Sequence, residues 1–173
     1  MNKSGLSLVV TTLILVTLVF VAIGIIWAAV SNLLNENLEE SEACFNIIDK
    51  VSINELYTCY NYTTTINKLE FAIEIGDVEV DEVMVSVGNS QNSKSFKIKN
   101  EESLVQYVTN YSGGSMVKLP GKNEGRTYFF DAEAAGFTDK IENIKIAPVV
   151  GGYQCDISST LDTIDDCMSL ISS

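Results

Sequence analysis

The chain has no histidine. That absence removes Ser-His-Asp and Cys-His nucleophile systems, which need an imidazole to take and return a proton. It also lacks a P-loop and a G-x-G-x-x-G, so neither backbone cradle for a nucleotide phosphate is available. Cations are scarce: 11 Lys and Arg stand against 23 Asp and Glu, a formal net charge of −12. Gripping nucleic acid or an anionic membrane surface takes basic contacts, and this composition suits neither. There is no internal repeat and no low-complexity linker.

What is present is one long apolar run. No charged residue occurs between Lys3 and Glu36, and residues 6–30 are almost wholly aliphatic. As a helix this run is about 35–40 Å long, enough to cross a hydrocarbon core of about 30 Å. Its polar members, Ser7, Thr11, Thr12 and Thr17, can each return a hydroxyl bond to the preceding turn. A cleaved secretory signal would have a shorter apolar region, although Ala29-Val30-Ser31 offers a small-residue cut. A buried helix of a soluble core would need apolar partners on all sides, and no second such helix follows. Lys3 precedes the span while Glu36, Glu39, Glu40 and Glu42 follow it, so the N-terminus is expected in the cytoplasm and the rest outside.

The leader Met1-Asn2-Lys3-Ser4-Gly5, followed by Leu-Ser-Leu-Val-Val-Thr-Thr-Leu-Ile, resembles the class III signal segment of archaeal type IV pilin-like and archaellin-like proteins. The resemblance implies that a membrane-embedded prepilin peptidase cuts between Gly5 and Leu6. It also implies that the mature helix packs with copies of itself, or with other pilins, in a filament core. Loss of Lys3 with the leader takes the net charge from −12 to −13. Bacterial members carry Glu at the fifth position after the cut, where this chain has Val10. That departure points to an archaeal-type subunit or away from filament assembly. The remainder resembles surface proteins of the same family that carry immunoglobulin-like β domains.

Three segments follow: a leader (1–5), a transmembrane or filament helix (6–40), and an extracellular domain (41–173). The domain is long enough for a core of its own, and its acidity keeps it soluble. Residues 31–40 prolong the helix, with Leu33, Leu34 and Leu38 on one face. In a filament that face meets a neighbour; otherwise it is a solvated stalk.

Beyond Cys44 the hydrophobic period becomes twofold. Residues 45–53 suggest a first strand and 56–62 a second. Leu69, Phe71, Ile73 and Ile75 alternate with polar or small residues, as in a half-buried strand. Val78 and Val80 continue that pattern, and a bulge or bend at Asp81-Glu82 precedes Val83, Val85 and Val87. The turn cluster 88–93 returns the chain through Phe96 and Ile98. Leu104, Val105 and Val108 read as strand or short helix, 116–119 and 127–130 as strands. Ile141, Ile144 and Ile146 lead to a hairpin at Gly151-Gly152, and Pro148 suggests an edge or strand end. Ser159-Thr160-Leu161-Asp162 reads as a helix cap, with Leu161, Ile164, Met168 and Ile171 on one face of a short C-terminal helix. The fold class is thus α+β: a long apolar helix, an antiparallel β-sandwich of immunoglobulin-like or archaellin-like type, and a terminal helix.

Cys44, Cys59, Cys155 and Cys167 all lie past the span and read as two disulfides. Sequence proximity favours Cys44 with Cys59 and Cys155 with Cys167, each closing a short loop worth about 3 kcal/mol. Without a C-x-x-C pair or a histidine, zinc is disfavoured. Asp77, Glu79, Asp81 and Glu82 are the densest carboxylates, able to serve glycoside hydrolysis or calcium but read first as a solvated turn. Asp162, Asp165 and Asp166 read as a solvated helix face. Asn61-Tyr62-Thr63 and Asn110-Tyr111-Ser112 are N-glycosylation sequons. No cofactor or metal is called for. The expected role is a structural subunit of a surface filament serving adhesion and possibly motility. The alternative is an uncleaved single-pass surface protein whose β domain binds a partner; a glycan-acting enzyme stands behind both.

Overall fold

The long apolar run is one helix, α1, spanning Ser4–Phe45, five residues beyond the expected end at 40. The computed structural model describes residues 4–45, 47–62 and 67–167. By its internal contacts the chain divides into Met1–Ser41 and Glu42–Ser173. Along α1 the Thr17 hydroxyl donates to the carbonyls of Leu13 (3.1 Å) and Ile14 (2.9 Å), so its polarity is satisfied within the helix.

In the second unit the strands are β1 (Val51–Tyr62), β2 (Asn67–Ile75), β3 (Glu82–Gly88), β4 (Ser93–Lys99), β5 (Ser103–Leu104) and β6 (Val108–Asn110). They continue with β7 (Met116–Val117), β8 (Glu124–Asp131), β9 (Asn143–Val150), β10 (Tyr153–Gln154) and β11 (Ser159–Leu161). Among the described residues they form one sheet in the order β1-β2-β8-β6, a second in the order β10-β9-β3-β4 with β11 also on β9, and the small pair β5-β7. The ladders are antiparallel.

Alternation sets which face of each sheet is buried. Leu69, Phe71, Ile73, Tyr128 and Phe130 from the first sheet are fully buried, as are Val83, Val85, Val87, Ile144 and Ile146 from the second. All belong to one apolar cluster. Aromatic contacts cross between the sheets: Phe96 of β4 stacks on Phe130 of β8 (5.4 Å between centroids) and packs against Phe71 of β2 (6.1 Å).

The hairpin around residues 88–93 forms as expected, with Val85 opposite Phe96. Its turn is organised by Asn89, whose side-chain oxygen accepts from the amides of Gln91 and Asn92. Gly151 and Gly152 both have positive φ (60° and 85°), as a two-residue hairpin turn of the primed type requires.

Several expectations are corrected. Phe45, Ile47 and Ile48 are not strand: Phe45 ends α1 and a 3-10 turn at Ile48–Lys50 precedes β1, Asn46 lying outside the described residues. The two strands expected over 45–62 are one strand, β1, whose register with β2 jumps between Asn54 and Cys59. Of the bulge or bend expected at Asp81-Glu82, the bend is found: Asp81 lies in a bend, Val78 and Val80 are not strand, and residues 76–81 connect β2 and β3 of different sheets. Pro148 lies inside β9 rather than at an edge. Its carbonyl accepts from Cys155 (2.9 Å) on the side away from β3, and the nitrogen of an extended residue faces the same way as its carbonyl. The β3 ladder therefore asks no donor of it. The expected C-terminal helix is overturned at its start, since Ser159–Leu161 is strand β11 on β9 and Asp162 follows in a bend. Met168 and Ile171 lie outside the described residues.

Candidate functional site

Two regions bear on function, one in each unit. In the first, Val10–Leu34 forms 25 residues of helix with mean hydropathy 2.9 and none of it buried. At ~1.5 Å per residue this is about 38 Å, long and apolar enough to cross a membrane. A membrane anchor and a signal sequence satisfy that description equally. Leu33 and Leu34 are exposed; the side chain of Leu38 lies outside the described residues. Gly5 and Leu6 fall in the first turns of α1, the side chain of Leu6 and all of Met1, Asn2 and Lys3 lying outside the described residues.

In the second unit the four cysteines pair, but not by proximity. The bonds are Cys44–Cys155 and Cys59–Cys167, closing separations of 111 and 108 residues. The topology decides this. Cys155 follows β10 and donates its amide to β9, while the segment ending at Cys167 runs beside β1, where the Tyr60 amide donates to the Asp165 carbonyl (2.8 Å). Short loops would have left both arrangements unclosed.

The acidic group at 77–82 is divided among separate partners. Asp77 pairs with Lys122 (2.9 Å), whose hydrogen bond holds its carboxyl below the usual range. Asp81 accepts from the Gly151 amide (2.7 Å). Glu82 bridges Lys97 (3.0 Å) and Lys99 (3.4 Å), and the Lys97 hydrogen bond lowers its pKa. Glu79 is exposed. Asp166 pairs with Lys140 (3.3 Å), and neither Asp162 nor Asp165 lies in a helix. Among the described residues only Cys59, Glu70 and Cys167 bring three potential ligand atoms within 4.8 Å of one another. Both sulfurs there are spent in a disulfide.

The sequons differ in environment. Asn61 is exposed near the end of β1, and Thr63 lies outside the described residues. Asn110 is half-buried and shapes its own loop, its oxygen accepting from the Gly114 amide (2.8 Å) and its amide donating to the Met116 carbonyl (3.1 Å).

That loop forms one side of an open cleft of about 520 Å³ on the outer face of the β1-β2-β8-β6 sheet. The opposite side comes from the register jump in β1, where residues 55–58 leave the ladder. Asn54 holds them: its side-chain oxygen accepts from the amides of Leu56 (2.9 Å) and Tyr57 (3.3 Å), and its carbonyl accepts from the Thr58 hydroxyl (2.7 Å). The hydroxyl oxygen of Thr58 in turn accepts from the Ala72 amide (3.2 Å). Tyr57, 63 % exposed, is presented at the tip. Tyr111, 67 % exposed, stacks on Phe129 (5.7 Å, 18° between planes).

The floor is a transverse row. Glu70 on β2 is paired in register with Cys59 on one side and Phe129 on the other, and Phe129 with Thr109 of β6. Burial raises the Glu70 pKa. Thr127 of β8 extends the floor, with Gly125 keeping it low, while Arg126 alternates onto the face of Tyr128, opposite Ile73.

These residues were absent from the sequence-based candidates apart from Asn110 and Cys59. They come from four strands and meet only in the sheet. The available signal was Asn54, an Asx-turn former inside an otherwise strand-like run. Comparison of the chain with protein families, with curated proteins and with solved structures finds no match.

Proposed function

We propose that the chain is a structural subunit of an archaeal type IV pilus-like surface filament. The single observation that carries the reading is α1: an unbroken apolar helix, with none of its 25-residue apolar stretch buried, that begins beside a Lys-Ser-Gly leader. Such a surface is stable in lipid or among copies of itself and not in water, where each buried CH₂ is worth about 0.8 kcal/mol. In this reading the precursor lies in the membrane with Lys3 on the cytoplasmic side. Prepilin peptidase cuts between Gly5 and Leu6, and the freed helix enters a bundle of identical helices. The acidic domain stays outside and serves adhesion or attachment.

The domain is read as an immunoglobulin-like β-sandwich, supported by the aromatic contacts between the two sheets. Two disulfides suit an oxidising exterior. Asn61 is the better placed glycan acceptor, because the Asn110 side chain already holds its loop.

N-terminal sequencing of the purified protein tests the reading. A start at Leu6, with the chain recovered in sheared surface filaments, is the expected result. A start at Met1 supports an uncleaved single-pass surface protein instead. A start near Asn32 means the helix is discarded and removes both.

A further inference from the structure

The geometry points to the cleft between Tyr57 and Tyr111 as a binding site for a neutral saccharide supplied from outside the chain. It rests on the reading of this domain as facing the cell exterior. The argument begins with what the cleft offers. Two exposed tyrosines project from the loops attached to β1 and β6, the two edges of the four-stranded sheet. At ~4.8 Å per strand those edges are about 14 Å apart, so the site is a trough open at the surface.

Tyr57 stands exposed at one side, and Tyr111 at the other is held flat by Phe129 beneath it. A π face carries negative potential, which suits the weakly positive C–H groups on one face of a pyranose ring. Between the rings lie a carboxylate acceptor, Glu70, and the hydroxyl of Thr127, which can donate and accept. That mixture matches sugar hydroxyls, which also donate and accept.

Other ligand classes fit less well. A nucleic acid or phosphate would meet the Glu70 carboxylate in a chain of net charge −12. A strand-forming peptide pairs with a sheet edge, and this is a sheet face. An apolar ligand would strip water from Glu70 with nothing in return. The Glu70 carboxylate and the net charge of −12 turn anions away, which favours a hydroxyl-rich uncharged ligand.

The site is also built in advance of its ligand. The Cys59–Cys167 disulfide fixes the chain directly after the Tyr57 loop, Asn54 braces that loop from within, and Asn110 braces the other. Ordered walls lower the entropy lost on binding. The same bonds argue against a glycan on Asn110 itself filling the cleft, so the sugar is assigned to another molecule.

The test uses the full chain, produced without N-glycosylation and held in a zwitterionic detergent with no sugar headgroup. Chitotriose, maltotriose and mannotriose are titrated to tens of millimolar while tyrosine fluorescence and tyrosine ring NMR signals are followed. At least one sugar is expected to give a saturating change. Tyr57→Ala and Tyr111→Ala should each weaken it about 2- to 10-fold, with the double variant losing it. Glu70→Gln should weaken it without shifting the aromatic signals of the unbound protein, and Ile157→Ala, exposed and outside the cleft, should leave it unchanged. No response to any of the three sugars, or equal binding by the double variant, overturns the proposal. Neither result touches N-terminal processing, and a mature start at Met1 leaves sugar binding as it was, so the two readings fail separately.

Discussion

Cys44, in the last turn of α1, is bonded to Cys155, which follows β10 and lies 111 residues further along the chain. The bond joins the end of the apolar helix to the far end of the β9–β10 hairpin, bypassing everything between. A loop of this size removes much of the freedom of the unfolded chain, about 4.7 kcal/mol in the chain-entropy model.

The first prediction follows from that bond. Cys44→Ala with Cys155→Ala should lower the stability of the domain by about 2–5 kcal/mol in urea unfolding. Reduction of the wild type also breaks Cys59–Cys167, so it should cost more than the double variant does, and reduction of the double variant should show the remaining loss from that second bond. An unchanged urea midpoint would mean that the two cysteines are not joined in solution.

A second prediction concerns the aromatic core. Phe130 is fully buried, stacked on Phe96 and edge-on to Phe137 (6.1 Å) and Tyr107 (6.4 Å). Truncation leaves a cavity that three rings line, so Phe130→Ala should cost about 3–5 kcal/mol. Its neighbour Phe129 points to the opposite face and is only half-buried. Phe129→Ala should therefore cost clearly less. Equal losses would contradict the assignment of faces in β8.

These two cases show which parts of the structure were legible in the sequence. Val83, Val85 and Val87 against Phe96 and Ile98 form a local alternation with a turn cluster between, and local order is what a linear pattern records. Pairing of the cysteines is not local. It depends on β9 lying beside β3 and on residues 164–167 lying beside β1, neither of which a spacing rule contains. Ser159–Leu161 failed for a different reason: three residues with one cap-like serine carry too little periodicity to separate strand from helix, and pairing to Ile144 and Ile146 of β9 decided it. The cleft was invisible because Tyr57, Glu70, Tyr111 and Thr127 are equivalent to any surface residues until the sheet puts them side by side.

Tyr60 supplies a prediction at high pH. Its ring is fully buried, and its hydroxyl donates to Asn67, whose amide donates to the Phe137 carbonyl (3.1 Å). Burial pushes the phenol from 10.0 up to about 12. The folded state thus prefers the protonated phenol. The stability this represents is fully present below about pH 10, where the unfolded phenol is also protonated, and is lost as the pH rises through about 12. Absorbance titration should show late-ionising tyrosines, because burial also raises the Tyr128 phenol, and Tyr60→Phe should remove one of them while leaving the other. Because the substitution leaves the Asn67 oxygen buried without its donor, it should also cost about 1–3 kcal/mol at neutral pH.

Glu82 and Glu70 should respond to acid in opposite directions. Lysines lower the pKa of Glu82 from 4.5, so its contribution is present above that value and is lost as the pH falls through the folded one. Burial raises the pKa of Glu70, so the folded state gains relative stability below 4.5 and loses it as the pH rises through the folded value. At pH 7, Glu82→Gln should be mildly destabilising, by less than about 1 kcal/mol because the pair is exposed to solvent, and Glu70→Gln neutral or stabilising. Each difference should vanish once the pH is below both the folded and the unfolded value of the group concerned. Urea midpoints measured from pH 3 to 7 read both slopes, and parallel slopes for the two variants would reject the stated causes.

The helix gives the last prediction. Ile23 is exposed near the middle of the stretch Val10–Leu34. If that stretch crosses a bilayer, Ile23→Lys replaces a favourable insertion contribution with one of about +2.5 to +3.5 kcal/mol. Placed near an end, the same lysine can reach the headgroups along its stem, so Leu33→Lys should be tolerated. Recovery in the alkali-resistant membrane fraction should therefore fall for Ile23→Lys and hold for Leu33→Lys. The contrast matters more than either value, because depth is the only property that distinguishes the two positions in a membrane-crossing helix. Equal recovery of both variants would mean that hydrocarbon is not what covers residues 10–34, and the membrane-borne precursor would go with it.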